Sequence, residues 1–282
     1  MNNLKYILYS LAIILVVTNL NAQPSIYQPG DYRDGAYQKE NSINRRFIPY
    51  THLREGDVTW EKRVWREIDM REKQNQPLYF PVDPSVSRIS FLQLIFNYVL
   101  KNDLYAFSDE EFQVLLEPSV IRSKIVKIDT VPQVSYTADG TEVSTNVATA
   151  DSTWMFREFR KIRVKEDWFF DKQKSVLEVR IIGLGIYTYD EEKEAPKEQF
   201  WVYFPACRPF FAKHEVYNTK NDAERRTFED IFWKRQFSSV AVKETNVFDR
   251  GINEYSRGID ALLESDRIKN DIFRWEHDLW HF

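Results

Sequence analysis

Apolar positions along this chain change their period twice, from helical to alternating and back. Between Asp57 and Asn75, Trp60, Val64 and Ile68 recur every fourth residue with Trp65 beside them. Thr59 stands where an N-cap would, so the spacing predicts a helix that Pro77, Pro81 and Pro84 break. A second helix is predicted from about Ser90 to Lys101 on Ile89, Leu92, Phe96, Val99 and Leu100. Ser108 with Glu111 reads as a capping box for a short third helix ending before Pro118. From Val120 the composition turns β-branched, and Ile121 to Val131 predicts a strand. Residues 132–152, with Asp139-Gly140 as a turn signal, predict an exposed, mobile loop or a long hairpin tip.

Further strands are predicted near 154–165, 175–189 and 198–204. In the second of these, Leu177, Val179 and Ile181 alternate with Glu178 and Arg180. A helix near Asp222 to Arg235 and a short strand near Ser239 to Lys243 follow. In the last quarter Ile252, Tyr255, Ile259, Leu262 and Leu263 form one helical stripe, with Asp249 as its cap. Ile268, Ile272, Trp275 and Leu279 form another. Strands and helices without βαβ alternation give an α+β fold: a mainly antiparallel sheet flanked by helices, with a helical C-terminal region. Residues 23–56, carrying Pro24, Pro29, Gly30, Gly35 and Pro49 among polar residues, are expected to form an extended arm able to lie along a neighbour. Residues 57–282 are then one α+β domain.

The first residues set the expected address. Lys5 precedes an apolar stretch from Ile7 to Leu20, and Asn21-Ala22-Gln23 offers a small residue for cleavage. That is the layout of a secretory signal, taken as residues 1–22. With no Cys at the cleavage point, lipid attachment there is excluded. Later apolar runs fall short of the ~20 residues a spanning helix needs.

A net charge of −4 without a basic stripe argues against nucleic acid as a partner. Cys207 is the single cysteine, so no internal disulfide can form, and it is expected to be a small buried hydrophobe or to pair with another chain. Aromatic content is high, with 20 Phe, 15 Tyr and 8 Trp, which suits either an aromatic-rich core or more Trp and Tyr than a core of this size must hide. Because Trp and Tyr carry protein–protein hot spots, the latter points toward partner contacts. Trp60, Trp65, Trp201, Tyr255, Trp275 and Trp280 are the candidate interface residues. The same side chains could stack on sugars, which keeps a periplasmic glycan-binding module or glycan hydrolase as the alternative.

Catalytic constellations fail one by one. Gly183-Leu184-Gly185 lies in mid-strand, without the strand–turn–helix context of a phosphate loop, and suits a close backbone approach. His277 and His281 stand at i and i+4, the spacing of a zinc clamp, but lack a third ligand and sit at a fraying end. Cys207 and His214 are conceivable partners, yet Cys207 lies between Pro205 and Pro209 with no helix N-terminus to lower its pKa. No Gly-x-Ser-x-Gly occurs. No catalytic residue, cofactor or metal site is expected.

Longer runs carry a resemblance. They include Val64-Trp65-Arg66-Glu67-Ile68-Asp69, Trp201 to Pro209, Asn221-Asp222-Ala223-Glu224-Arg225 and Phe237-Ser238-Ser239. Lys243-Glu244 with Asn246, Asp249-Arg250 and Asn253-Glu254-Tyr255 extend them, followed by Gly258-Ile259-Asp260-Ala261-Leu262-Leu263-Glu264-Ser265 and Glu276-His277-Asp278-Leu279-Trp280. In these the chain resembles the GldN/PorN family, gliding-motility and type IX secretion proteins of the Bacteroidetes. The resemblance implies a non-catalytic periplasmic subunit that assembles with a GldK/PorK-like outer-membrane lipoprotein into a ring. That ring would communicate with motor proteins of the GldL/PorL and GldM/PorM type.

Overall fold

The computed structural model of the protein describes residues 45–84, 88–125, 127–136, 142–151, 154–190, 195–218, 220–221 and 223–278. Its strands are β1 Val58–Asp69, β2 Ala106–Phe107, β3 Leu115–Leu116, β4 Lys127–Tyr136, β5 Glu142–Asp151, β6 Phe159–Asp171, β7 Val176–Asp190, β8 Ala195–Tyr203, β9 Glu215–Val216, β10 Arg226–Thr227 and β11 Val240–Glu244. Its helices are α1 Gln76–Tyr79, α2 Phe91–Leu100, α3 Pro118–Ile125, α4 Trp154–Glu158, α5 Phe204–Phe211, α6 Phe228–Trp233, α7 Ile252–Tyr255 and α8 Ile259–Asp278. Seven antiparallel strands join in the order β11-β1-β6-β7-β8-β2-β3, while β4 pairs with β5 and β9 with β10 separately. The α+β expectation with a mainly antiparallel sheet is met.

Register sorts the side chains onto two faces. One row runs Ile68, Ile162, Ile186 and Phe200 across four strands, and the next runs Val164, Leu184, Val202 and Ala106. All eight are buried in the main core. The helices α2, α5 and α6 close over that face with phenylalanines. Phe91 lies 5.2 Å from Phe211, 5.2 Å from Phe232 and 5.7 Å from Phe228. Each such ring removed from water contributes about 1.5–3 kcal/mol. Two capping boxes start these helices: Ser90 with Gln93 and Thr227 with Asp230, each pair exchanging side chain for backbone.

The opposite face carries the row Glu67, Arg163, Gly185, Trp201 and Phe107. An added Cβ on Gly185 would lie 2.8 Å from the Trp201 ring, and one on Gly183 2.5 Å from Phe112. The glycines therefore admit aromatic rings onto the backbone, the close approach read from the sequence.

Several sequence expectations are corrected. The segment Asp57 to Asn75 is mostly strand, because positions 60, 64 and 68 share a face in a strand as well as in a helix. Thr59 accordingly caps nothing. Ser108 and Glu111 open no helix; Asp109 accepts from the amides of Gln113 (2.9 Å) and Val114 (2.7 Å) in the turn between β2 and β3. Pro118 starts α3 where a strand was expected from Ile121, since proline suits the first helical turn. The predicted strand at 154–165 opens instead with α4. Residues 127–136 and 142–151 pair over ten positions, in line with the hairpin alternative, and the predicted turn Asp139-Gly140 lies outside the described residues. Pro205 starts α5 and places Cys207 inside a helix. The 222–235 helix shrinks to α6, and Gly251 rather than Asp249 caps α7, its amide donating to Glu254 (3.0 Å).

Candidate interaction surface

The last twenty-residue helix, α8, presents two apolar sides. Ala261, Ser265, Ile268, Ile272 and Trp275 recur at spacings of four and three, one stripe along a helix. That stripe packs on Val64 of β1 and Ala241 of β11, beside Ile252. Trp275 stacks on Trp60 with ring centroids 4.3 Å apart and meets the edge of Phe170 at 5.6 Å. The Ser265 hydroxyl accepts from the Ala241 amide at 2.9 Å, so the helix also covers a donor of the edge strand.

Ile259, Leu262, Leu263 and Phe273 point the other way, roughly opposite on a 100° per residue wheel. All are exposed, Ile259 at 76%. Val247, 97% exposed, and Phe248 lie in the loop after β11. Arg250 bridges Phe248 and Tyr255, its guanidinium 4.8 Å over the first ring and 5.0 Å over the second. The Tyr255 hydroxyl in turn donates to Glu264 on α8 at 3.0 Å. Glu264 is itself held by Arg267, which also pairs with Asp271 and Glu244. That pairing holds the Glu264 carboxyl below its usual range and fixes a polar frame beside the apolar row. Exposed apolar groups gathered in this way mark an interaction surface, whereas single ones do not.

The six candidate residues thus separate. Trp65 and Trp201 are inside the molecule, 5% and 0% exposed, with Tyr187. Their indole N–H groups donate to Glu110 (2.7 Å) and Glu198 (2.9 Å), as buried indoles require. Trp60 and Trp275 are half-buried on each other. Tyr255 is exposed at the rim of the apolar row, and Trp280 lies outside the described residues. The sequence reading set Ile259, Leu262 and Leu263 in one stripe with Ile252 and Tyr255, and so did not separate an exposed side of α8 from its buried side. The signal was present: a helix apolar on opposite sides buries only one of them.

Residues 45–51 lie along the body rather than away from it. Arg208, 1% exposed, is their anchor. Its guanidinium bonds Glu229 (2.8 Å) and the carbonyl of Ile48 (2.5 Å) and sits 4.3 Å over Tyr50, 4.5 Å over Trp233 and 5.2 Å over Phe47. Burial pushes the Glu229 carboxyl up, even with Arg208 beside it. Arg45 reaches Asp230 at 2.8 Å, and Thr51 accepts from Lys174 and Arg180.

Reactive groups are quiet. Cys207 is buried, its thiol bonds the Tyr203 carbonyl at 3.2 Å, and burial pushes its pKa up. The His214 Nδ1–H donates to the Phe210 carbonyl (3.0 Å), and burial lowers its pKa. Among the described residues no group of three or more His, Cys, Asp or Glu is placed to hold a metal, and His281 is outside them. No described helix is long and apolar enough to cross a membrane. No curated protein matches the sequence. A family model described as gliding motility associated protein GldN matches residues 53–281, nearly the whole described body, and the chain belongs to that family.

Proposed function

We propose that the protein is a non-catalytic structural subunit of the gliding-motility and type IX secretion machinery. It assembles in the periplasm with a GldK/PorK-like lipoprotein and with copies of itself into a ring beneath the outer membrane. Motor proteins of the GldL/PorL and GldM/PorM type are its further partners. The observation that carries this reading is the exposed row Ile259, Leu262, Leu263 and Phe273 along α8, in a chain whose family is a motility component. A heterologous contact that closes on itself produces a ring.

The test is a pull-down of C-terminally tagged protein from native envelopes, with the eluate viewed by negative-stain microscopy. Rings containing a lipoprotein are expected, together with a mature N-terminus at Gln23. The double variant Leu262→Asp/Leu263→Asp should leave stability within about 0.5 kcal/mol, since both positions are exposed. It should lose the partner. Full co-purification by this variant would remove the helix face from the interface, and a lone monomer from wild-type envelopes would reject the assembly reading.

A further inference from the structure

Beside α1 and the segments around β9 and β10 lies a groove of about 920 Å3. Its charge opposes that of the chain. The protein carries −4 overall, yet the described lining residues include Lys73, Arg88, Lys220, Arg226 and Arg235 against one carboxylate, Glu224. Two of these cations are engaged within the wall. Arg235 grips Glu166 at 2.7 and 3.1 Å, and Arg226 lies 4.0 Å from Glu224 and donates to Gln236. Among the described residues no ion pair holds Lys73, Arg88 or Lys220.

The groove is also apolar. Pro77 and Pro81 stand near Phe80, which is 53% exposed, and Arg88 lies 4.7 Å over the ring of Tyr217, 43% exposed. Of the lining amides, Asn218 donates to Glu224 (2.7 Å) and accepts from the Lys220 amide, and Gln236 accepts from Arg226, while Gln74 and Gln76 are exposed beside the cations, where their side chains can bond the backbone of an extended segment. Uncommitted cations beside exposed rings suit carboxylates with an apolar side chain between them.

We propose that this groove seats an extended acidic segment of a partner protein. The partner's carboxylates meet Lys73, Arg88 and Lys220, and one apolar side chain packs on Phe80 and Tyr217. The inference rests on the reading of the chain as an assembly subunit and adds the chemistry of one contact. Charges at such a rim steer encounter and select the partner, while the buried ring contact slows release.

Fluorescence anisotropy with the mature protein and a labelled glutamate-rich peptide carrying one phenylalanine tests it. Saturable binding is expected that weakens with salt and is lost for the glutamine counterpart. Lys73→Glu/Lys220→Glu should weaken it about tenfold. Both lysines are exposed, so an unchanged melting curve will show that the fold is intact. Phe80→Ala should weaken binding several-fold at every salt concentration. Equal binding of the glutamine peptide, undiminished binding by the double variant, or tighter capture of polygalacturonate than of the peptide would overturn the proposal. The envelope pull-down separates the two readings: rings without peptide binding reject the groove alone, and peptide binding without envelope partners rejects the assembly reading alone.

Discussion

Single residues decide much of this packing. Gly185→Ala would push a methyl group into the ring of Trp201, which is fully buried and held by Glu198, and should cost about 1–3 kcal/mol in denaturant unfolding. Gly183→Ala should cost less although its contact is shorter, because Phe112 is only half-buried and can turn aside. Arg208→Ala would leave Glu229 unpaired in a buried position, a loss of about 3–5 kcal/mol. Arg208→Lys should not restore it, since an ammonium lacks the planar fork that bonds both Glu229 and Ile48 among three rings. His214 gives a pH dependence. Burial lowers its pKa from the ordinary 6.5, so below that value the unfolded chain binds more protons than the folded one. Stability should therefore fall as pH drops below about 6.5, and His214→Asn should flatten that part of the profile. These positions were scarcely legible from sequence. The Gly-x-Gly pair suggested a close approach, but nothing in the spacing said which ring would arrive.

At the scale of elements, the sequence was clear where a periodicity had one interpretation and misleading where it had two. α2 was found almost to the residue, because Leu92, Phe96 and Val99 mix spacings of three and four that a strand cannot place on one face. β1 was missed because steps of four are even, and Trp65, which faces the opposite side of the sheet, looked like a widened helical stripe. The real capping boxes sit at Ser90 and Thr227, whereas the one at Ser108 lost to a turn around Asp109. α8 was foreseen as helix but not as two-sided. Its seat depends on the stacked indoles: Trp60→Ala and Trp275→Ala should each destabilise the protein. In a double-mutant cycle their coupling should be about 0.5–1.5 kcal/mol, read by chemical denaturation. Additive losses would mean that the stack contributes only its area.

On the scale of the molecule, residues 45–51 are strapped over Arg208 and belong to the body, so a truncation starting at Arg45 keeps that strap. A truncation starting at Asp57 removes Phe47, Ile48 and Tyr50 from Arg208 and should melt at least several degrees lower, by differential scanning fluorimetry. The groove is a property of the folded surface, formed by residues from Lys73 to Gln236, and the sequence does not show it, whereas the apolar row lies on one helix and its spacing was there to be read.

The two ends of the seven-stranded sheet have one more implication. At β11 an edge donor, the Ala241 amide, already serves Ser265, and at the other end β3 is two residues long and gives way to a helix at Pro118. Neither border is suited to templating a further strand from another molecule. A second molecule that meets this sheet must therefore do so through side chains, and cannot lengthen it as a continuous backbone ladder, the geometry of fibrils.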